Sequence, residues 1–170
     1  MSSHYWEKEW LDIVARQEEA LKFTAFDRDD ALQLGLSIVN LAREKYKDAV
    51  AIRIIEDGYT IFAYKMPGRT SENDWWMDRK LALSRLTGVS SMRAFMEAEA
   101  GIRPAVWDER TDNLALCGGC FPVLIKDGSP TWAYVLVSGL QHYDDHQIIA
   151  DAMAAQLGVS IPELRAHRQS

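Results

Sequence analysis

The stretch AVAIRIIEDGYTIFAYKM, residues 49–66, decides the fold of this 170-residue chain. Two runs rich in β-branched and aromatic residues, AVAIRII (Ala49–Ile55) and TIFAYKM (Thr60–Met66), flank the dipeptide Asp57-Gly58. An Asp-Gly pair between such runs is a strong signal for a tight β-hairpin turn, because both residues tolerate the positive φ angles that this turn requires. The sequence therefore predicts an antiparallel hairpin over residues 49–66.

Helical patterns precede and follow this hairpin. Apolar residues recur every three to four positions from Tyr5 to Leu21, which predicts an amphipathic helix, and Asp27 is expected to cap a second helix. We therefore expect two helices before any strand. Further helices are predicted from Thr70 or Ser71 to Gly88, from Ser90 to Ala100, from Asp144 or Asp145 to Gly158, and from Ile161 to His167.

A second hairpin is expected near the C-terminus. Phe121–Lys126 and Thr131–Ser138 are its predicted strands, and the turn is Asp127-Gly128-Ser129-Pro130. Hairpins that are flanked by helices, without strand-helix-strand alternation, indicate an α+β fold around an antiparallel sheet built from two hairpins. The length favours a single domain spanning residues 1–170.

Composition and charge disfavour several classes of partner. A formal net charge of -6 and a pI near 5.2 oppose a general affinity for nucleic acid or anionic lipid, since both are bound by net positive fields. The N-terminal MSSHYWEKEW does not read as a signal peptide, and no apolar run approaches the ~20 residues of a membrane helix. A cytosolic location, without membrane or nucleic-acid partners, is the expectation.

Four segments carry a family resemblance: PGRTSENDWWMDRK (Pro67–Lys80), the pair Ser90-Ser91, GGCFPV (Gly118–Val123) and VSGLQHYDDH (Val137–His146). In this order they resemble the haem-degrading-domain superfamily of GlcG and HbpS type, and within it a cytosolic branch found in bacteria and fungi. The resemblance extends from Phe23 to Leu157. It implies a profilin-like α/β/α sandwich, symmetric homo-oligomers, and the capacity of some members to bind haem or another small ligand. It implies no particular reaction.

The run Asn73, Trp76, Arg79, Lys80 matches the family pattern N-x-x-W-x-x-R-K. On a helix, Asn73, Trp76 and Lys80 share one face, where an amide, a ring and a cation would hold a small anionic group. Backbone N–H groups of the first helical turn would assist. The alternative is that Trp76 packs in the core or a subunit interface, that Asn73 caps the helix, and that the two cations are solvated or paired with acidic neighbours.

Cys117 and Cys120 are the only cysteines and are spaced C-x-x-C. Redox dithiols usually lie at a helix N-terminus, whereas this pair precedes a predicted strand. A structural zinc needs four ligands, and His142 or His146 would have to complete the set. We expect instead that the glycines between the cysteines let the backbone turn sharply or pass close to a ligand.

The remaining candidate ligand-binding residues are Gly118, Gly119, Phe121, Ser138, Gly139 and His146. Ser138 and Gly139, at the end of the last predicted strand, would add a hydroxyl and an open backbone to the pocket. His146 matches the family's Asp-His pair and is the candidate haem ligand. Its alternatives are a hydrogen bond to a backbone carbonyl and a contact with a neighbouring subunit.

The leading interpretation is a cytosolic homo-oligomer that binds a small anionic organic ligand, with haem as one candidate cofactor. One alternative is an oxidoreductase or metal-dependent enzyme using Cys117, Cys120 and His146; another is a protein-interaction module without a ligand. Six tryptophans in 170 residues include Trp6 and Trp10 on a terminal helix, where a monomer's core is hard to reach. We therefore expect an oligomer built from dimers, with that helix in the contact.

Overall fold

A computed structural model of the chain describes residues 8–103 and 113–164. The helices are α1 (Lys8–Ala20), α2 (Arg28–Leu41), α3 (Ser71–Thr87), α4 (Ser91–Glu99) and α5 (His142–Leu157). The strands are β1 (Lys22–Phe23), β2 (Ala51–Glu56), β3 (Tyr59–Lys65), β4 (Cys120–Pro122), β5 (Leu124–Ile125) and β6 (Ala133–Ser138). A π-helical turn, Ala42–Tyr46, extends α2. None of the helices in these described ranges is long and apolar enough to cross a membrane.

A four-stranded antiparallel sheet with the order β3-β2-β6-β4 forms the centre of the fold. The predicted hairpin is confirmed, because β2 and β3 pair across a turn in which Asp57 and Gly58 have φ angles of 50° and 84°. Strand β2 also pairs with β6, so that β2 and β6 are the central strands. The hairpin that the sequence marks most clearly thus contributes half of the sheet.

The second predicted hairpin is only partly right. Strands β4 and β6 pair antiparallel, with Phe121 opposite Val135, but the first strand ends at Pro122. The following residues form β5, which leaves the sheet and pairs in parallel with β1. Because β1 lies between α1 and α2, the expectation of two helices before any strand is wrong. A two-residue strand is too short to show an alternating pattern.

Helices cover both faces of the sheet, which confirms the α/β/α sandwich. On one face α2 and α5 bury Leu34, Ile38 and Ile149 against the sheet residues Ile52 and Val137. On the other face, α3 packs on the sheet through a second apolar cluster made up of Ala51, Ile55, Met77, Leu81, Cys120 and Leu136. Helix α4 lies beside β4, where the Ser91 hydroxyl accepts a hydrogen bond from the Cys120 N–H at 3.0 Å.

Most helix ends lie where the sequence places them. Asp27 and Asp30 form a reciprocal capping box at α2, Thr70 and Asn73 do the same at α3, and Gly88 ends α3 in the left-handed conformation. Helix α5 is different: it begins at His142, two or three residues before the predicted caps. The Gln141 carbonyl accepts hydrogen bonds from the N–H groups of residues 144 and 145, which starts the helix early.

The predicted helix from Ile161 to His167 is absent over its described residues, 161–164. Buried side chains fix this segment instead: Gln17 donates to the Pro162 carbonyl at 2.7 Å, and Gln147 accepts from the Leu164 N–H at 2.9 Å. These bonds satisfy backbone groups that a helix would otherwise pair internally. The remainder of the predicted helix lies outside the described residues.

Trp10 packs inside the protomer, contrary to the reason given for placing it in an interface. It contacts the cluster of Val14, Met92 and Met96, and its ring meets Tyr143 edge-on at a centroid distance of 6.3 Å. Trp6 lies outside the described residues. Trp10 is thus partly buried by its own protomer, which weakens the reason for placing it in an interface, and the contact through the N-terminal helix stays a prediction.

The capping box of α2 is expected to contribute measurably to stability. Replacement Asp27→Ala should lower the free energy of unfolding by about 1 kcal/mol, because the Asp30 N–H loses its acceptor at 2.8 Å. Asp27→Ser should retain most of that stability, since serine also caps helices well. Denaturant unfolding of the two variants measures this, and an equal loss in both would contradict a capping role.

Candidate functional site

A cavity of about 530 Å³ opens where α3 and α5 begin, next to the end of β6. Five residues predicted from the sequence line it: Asn73, Trp76, Lys80, Ser138 and Gly139. Cys117 also lies on its wall. The sequence analysis did not select the other polar lining residues, which include Arg69, Thr70, Glu72, His142 and Asp145. The fold therefore brings half of the predicted set together around one space.

The other five predicted residues lie off the cavity wall. Arg79 stacks over the Trp75 ring at 4.3 Å and donates to Asn113 at 3.3 Å. Phe121 is fully buried and stacks on His146 at a centroid distance of 5.3 Å. Gly118 and Gly119 lie behind the wall. Any role of these residues in binding would have to be exerted through the residues that line the cavity.

A buried ion pair forms the floor of the cavity. The Lys80 ammonium donates to the Asp145 carboxylate at 3.0 Å and to the Val137 carbonyl at 2.9 Å. The second carboxylate oxygen of Asp145 accepts from the Leu140 N–H at 2.9 Å. Both charged side chains are only 3% exposed. Burial raises the pKa of Asp145 to about 6, although Lys80 and the backbone N–H groups oppose that rise.

The glycine pair makes room for this arrangement. Gly119 has a φ of 126°, and a Cβ atom there would lie 2.5 Å from the Lys80 ammonium nitrogen and 2.5 Å from the Val137 carbonyl oxygen. A Cβ atom on Gly118 would lie 2.5 Å from the His142 carbonyl oxygen. The sharp backbone turn expected at these glycines is present. In the described structure the close neighbours of the turn are Lys80 and the first residue of α5.

His142 contributes a neutral donor to the wall. Its Nδ1 atom accepts a hydrogen bond from the Gly118 N–H at 3.0 Å, so the ring proton must be on Nε2. Burial, followed by the charge of Lys80, lowers the pKa of His142 to about 4. The sequence analysis placed His142 before the helix, whereas it is the first residue of α5. At neutral pH the imidazole is therefore an uncharged N–H donor.

Asn73 caps α3, as one of the alternatives from the sequence expected, and it also lies on the cavity wall. Its side-chain oxygen accepts from the Thr70 N–H at 3.0 Å, which caps α3, and its amide donates to the Ser138 hydroxyl oxygen at 3.0 Å. Because that oxygen accepts a bond, the Ser138 hydroxyl proton is available to a further acceptor. Asn73 thereby fixes the start of α3 against the end of β6.

The balance of groups on the wall favours an anion. The Arg69 guanidinium is held by the Ala49 carbonyl at 2.7 Å and by Asp48 at 3.3 Å. The N-termini of α3 and α5 both lie at the cavity, and Gln141, which precedes α5, makes no side-chain capping bond. Helix N-termini and guanidinium groups attract negative charge. Glu72 is the acidic wall residue that lacks an ion pair within the cavity, since Asp145 is neutralised by Lys80.

The two cysteines lie in different surroundings: Cys117 lines the cavity and Cys120 is in the core. Cys120 is fully buried in the cluster with Met77 and Leu136, and burial raises the pKa of its thiol to about 12. The thiol is therefore protonated at neutral pH, which opposes nucleophilic or redox chemistry. Within residues 8–103 and 113–164, no group of three or more His, Cys, Asp or Glu side chains is placed to hold a metal ion.

His146 lies in the core behind the cavity. Its Nε2 atom is 2.7 Å from the Gln17 side-chain oxygen, and Gln17 in turn donates to Gln147 at 3.0 Å. The Nδ1 atom of His146 is buried without a hydrogen-bond partner. Burial lowers the pKa of His146 to about 3, so the ring is neutral. The contact observed is thus with a side-chain amide, which is neither of the two alternatives considered from the sequence.

Comparisons with known proteins agree with this architecture. A family model described as "Haem degrading protein HbpS-like" matches residues 26–154. A UPF0303 protein of Brucella melitensis biotype 1 is 33% identical over 153 residues, which cover 89% of each chain. A UPF0303 protein of Schizosaccharomyces pombe is 32% identical over 150 residues, covering 86% of this chain and 83% of that one. The resemblance inferred from the four sequence segments is confirmed, in both bacteria and fungi.

Two solved structures show the same fold. The crystal structure of Ybr137w protein matches with a TM-score of 0.77 at 23% identity, covering 89% of this chain and 90% of that chain. The crystal structure of a PduOC:heme complex matches with a TM-score of 0.64 at 17% identity, covering 86% of this chain and 99% of that chain. At these identities the likeness establishes the architecture.

The Lys80–Asp145 pair is expected to be necessary for stability. Lys80→Met or Asp145→Asn should each lower the free energy of unfolding by about 3 to 5 kcal/mol, because each leaves a buried partner uncompensated. The double variant should cost less than the sum, which denaturant unfolding measures as a coupling energy. Arg28→Met, which breaks the exposed pair with Glu56, is the control and should cost at most about 1 kcal/mol. Equal losses in Lys80→Met and Arg28→Met would contradict the assignment.

Acid should destabilise the protein through its two buried histidines. The folded-state pKa values of His142 and His146 lie near 4 and 3, below the ordinary 6.5, so unfolding takes up protons as the pH falls below 6.5. Asp145 acts in the opposite direction, since its raised pKa near 6 makes the folded state bind one more proton. Between pH 6 and 4, unfolding therefore takes up about one net proton, and the free energy of unfolding falls by about 1.4 kcal/mol for each pH unit of acidification. Unfolding free energies measured across this range test the slope, which His146→Gln should flatten; an unchanged slope would contradict it.

Proposed function

Because this chain belongs to the HbpS-like family of haem-degrading proteins, we propose that it binds a small anionic organic molecule in the cavity between α3 and α5. In this proposal the protein is cytosolic, forms one domain over residues 1–170, and works as a homo-oligomer. No reaction is assigned to it. One observation carries the proposal: Arg69 and the first residues of α3 and α5 line one cavity whose acidic floor residue is paired with Lys80.

The chemistry of the wall supports an anion over a neutral or cationic ligand. Lys80 and Asp145 cancel each other in charge and Arg69 offsets Glu72, so the attraction for an anion comes from the two helix N-termini and the neutral donors. The Ser138 hydroxyl and the Nε2–H of His142 add neutral donors. A volume of about 530 Å³ lies within the usual range of small-molecule sites, and Trp76 supplies an apolar wall for an organic body.

Haem is a candidate ligand because the family description names it, and its two propionates suit a donor-rich cavity. The described residues fit those carboxylates better than they fit the iron. His146 is buried behind the wall and bound to Gln17, and His142 carries its proton on Nε2 while Nδ1 accepts from Gly118. Neither imidazole has a lone pair facing the cavity in this state. We therefore propose that Arg69 and Ser138 hold the carboxylates, and we assign no axial role to His146.

The enzyme alternative gains no support from the described residues, since the Cys120 thiol is protonated and His146 is neutral and enclosed. An interaction module without a ligand is less favoured for a different reason. A surface used only for protein docking does not need buried polar groups, whereas this cavity is built over an ion pair that is 3% exposed. Buried charges are costly unless they are paired, as Lys80 and Asp145 are.

Ligand binding can be tested with haem as the probe. Wild-type protein should show a saturable shift of the Soret band, and Arg69→Gln should weaken the uptake about tenfold because a charge-assisted hydrogen bond is lost. Arg79→Gln removes a cation from the same region but off the cavity wall, and should change the affinity by less than about twofold. Thermal unfolding of both variants confirms that they are folded.

Native mass spectrometry of the purified protein completes the test by reading the oligomer mass and any retained small molecule together. A retained anion, or haem uptake that depends on Arg69 and not on Arg79, supports the proposal. Equal weakening in both variants would place the binding outside the cavity. A protein that retains no small molecule and takes up haem only without saturation would overturn the proposed function.

A further inference from the structure

The two edges of the sheet differ in the length of the edge strand and in what lies beside it. Strand β4 is three residues long, and α4 lies beside it with Ser91 bonded to the Cys120 N–H. Strand β3 is seven residues long and pairs only with β2. Within the described ranges no element pairs with its outer side. A long strand edge without a partner is a template for pairing with another chain.

Strand β3 has little of the protection that edge strands usually carry. It contains no proline, and its single charged residue, Lys65, is the last one. A register shift between Ile54 and Ile55 leaves Ile61 as an extra residue in β3. The bulge limits the regular edge to Phe62–Lys65, and it does not close that edge. Four residues therefore remain available for antiparallel pairing.

An exposed apolar strip lies beside this edge on the α2 face. Phe62 and Tyr64 stand opposite Ile54 and Ile52 of β2, whose side chains belong to the core under α2. Helix α2 packs over both β2 and β3, and a Cβ atom on Gly35 would lie 2.5 Å from the Phe62 ring. On the same helix Leu32 and Leu36, one turn apart, are 51% and 52% exposed, and Tyr64 is 40% exposed.

We propose that this strip, formed by Leu32, Leu36 and Tyr64 with the outer edge of β3, docks a second copy of the same chain. The inference rests on the self-association included in the proposed function and deepens it by naming the contact. Antiparallel pairing of Phe62–Lys65 with its counterpart continues the sheet across a two-fold axis. The two copies of α2 then lie side by side, and each leucine pair covers the other.

The geometry of the two elements is mutually consistent. Paired strands lie about 4.8 Å apart and packed helices about 8 to 10 Å apart. Helix α2 contacts both β2 and β3, so it lies about half a strand spacing inside the edge strand, and the operation that pairs the strands brings it to about this helix-packing distance from its own copy. A single symmetric contact pairs the unpaired backbone groups of β3 and also buries the exposed leucines of α2.

The charge distribution of the chain favours a second copy as the partner that docks on this strip. The chain has a formal net charge of -6, so most of its surface repels another copy. After Asp30, α2 carries no charged residue through Leu41, and the regular β3 edge carries only Lys65. The strip is thus a place where two acidic copies meet without opposing like charges. It has no acidic or basic pattern that would select a charged partner protein.

The test compares two leucines of similar exposure in the full-length protein. Leu36→Glu should raise the dissociation constant of the assembly by about a hundredfold and yield a smaller species in light scattering, because a buried carboxylate is placed at the contact. Leu86→Glu, at a residue on α3 that is 58% exposed, is the matched control and should leave the mass unchanged. Both changes are at exposed side chains, so the protomer should remain folded.

A second measurement uses proximity across the two-fold axis. In a Cys117→Ser background, Leu36→Cys should form an intermolecular disulfide under mild oxidation, and Leu86→Cys should not. An oligomer that Leu36→Glu leaves intact and Leu36→Cys does not cross-link would overturn this interface while leaving self-association through another face. A wild-type protein that is monomeric at micromolar concentration would overturn both. Haem uptake by Leu36→Glu reports separately on the cavity, which lies on α3 and α5.

Discussion

The buried ion pair between Lys80 and Asp145 is the interaction on which the rest of the site depends. Helix α3 covers one face of the sheet and α5 covers the other, and this pair joins them at the end of β6. Neither charge is stable alone at 3% exposure, so the two helices are constrained to meet there. The Val137 carbonyl and the Leu140 N–H complete the contacts and attach the pair to the backbone. Gly119 supplies the space, since any larger residue would collide with the ammonium group.

The cavity follows from this constraint. Lys80, in the middle of α3, is held against Asp145 in the first turn of α5, and Asn73 links the start of α3 to Ser138, so that both helix N-termini lie at one space. The pair neutralises itself, so the field in the cavity is set by backbone dipoles together with the charges of Arg69 and Glu72. The site for an anion is thus a consequence of how α3 and α5 pack on the two faces of the sheet. Family membership gives the fold and suggests haem, but the described donors explain the preference for a carboxylate.

The sequence was least informative where side chains far apart in the chain decide the backbone path. Strand β1 is two residues long and exists because β5 pairs with it across a hundred residues. Helix α5 starts at His142 because the Gln141 carbonyl pairs with the N–H groups of residues 144 and 145, while the Asp145 carboxylate binds Lys80 and the Leu140 N–H. Arg69 and His142 lie in segments that carry the family resemblance, but their place on the cavity wall depends on contacts with Ala49 and Gly118, which are distant in sequence. Trp10 looked like an interface residue because its partners Met92 and Tyr143 are distant in sequence.

By itself, the sequence determined the elements whose causes are local: the β2–β3 hairpin from Asp57-Gly58, the capping boxes of α2 and α3, and the class of fold. It also identified Asn73, Trp76 and Lys80 as one helical face, because helical periodicity is a property of neighbouring residues. Only the tertiary structure decided that Lys80 is neutralised by Asp145, that His146 lies behind the wall, and that β3 is the uncovered edge. These facts depend on burial and on pairing between distant segments, which no local pattern encodes.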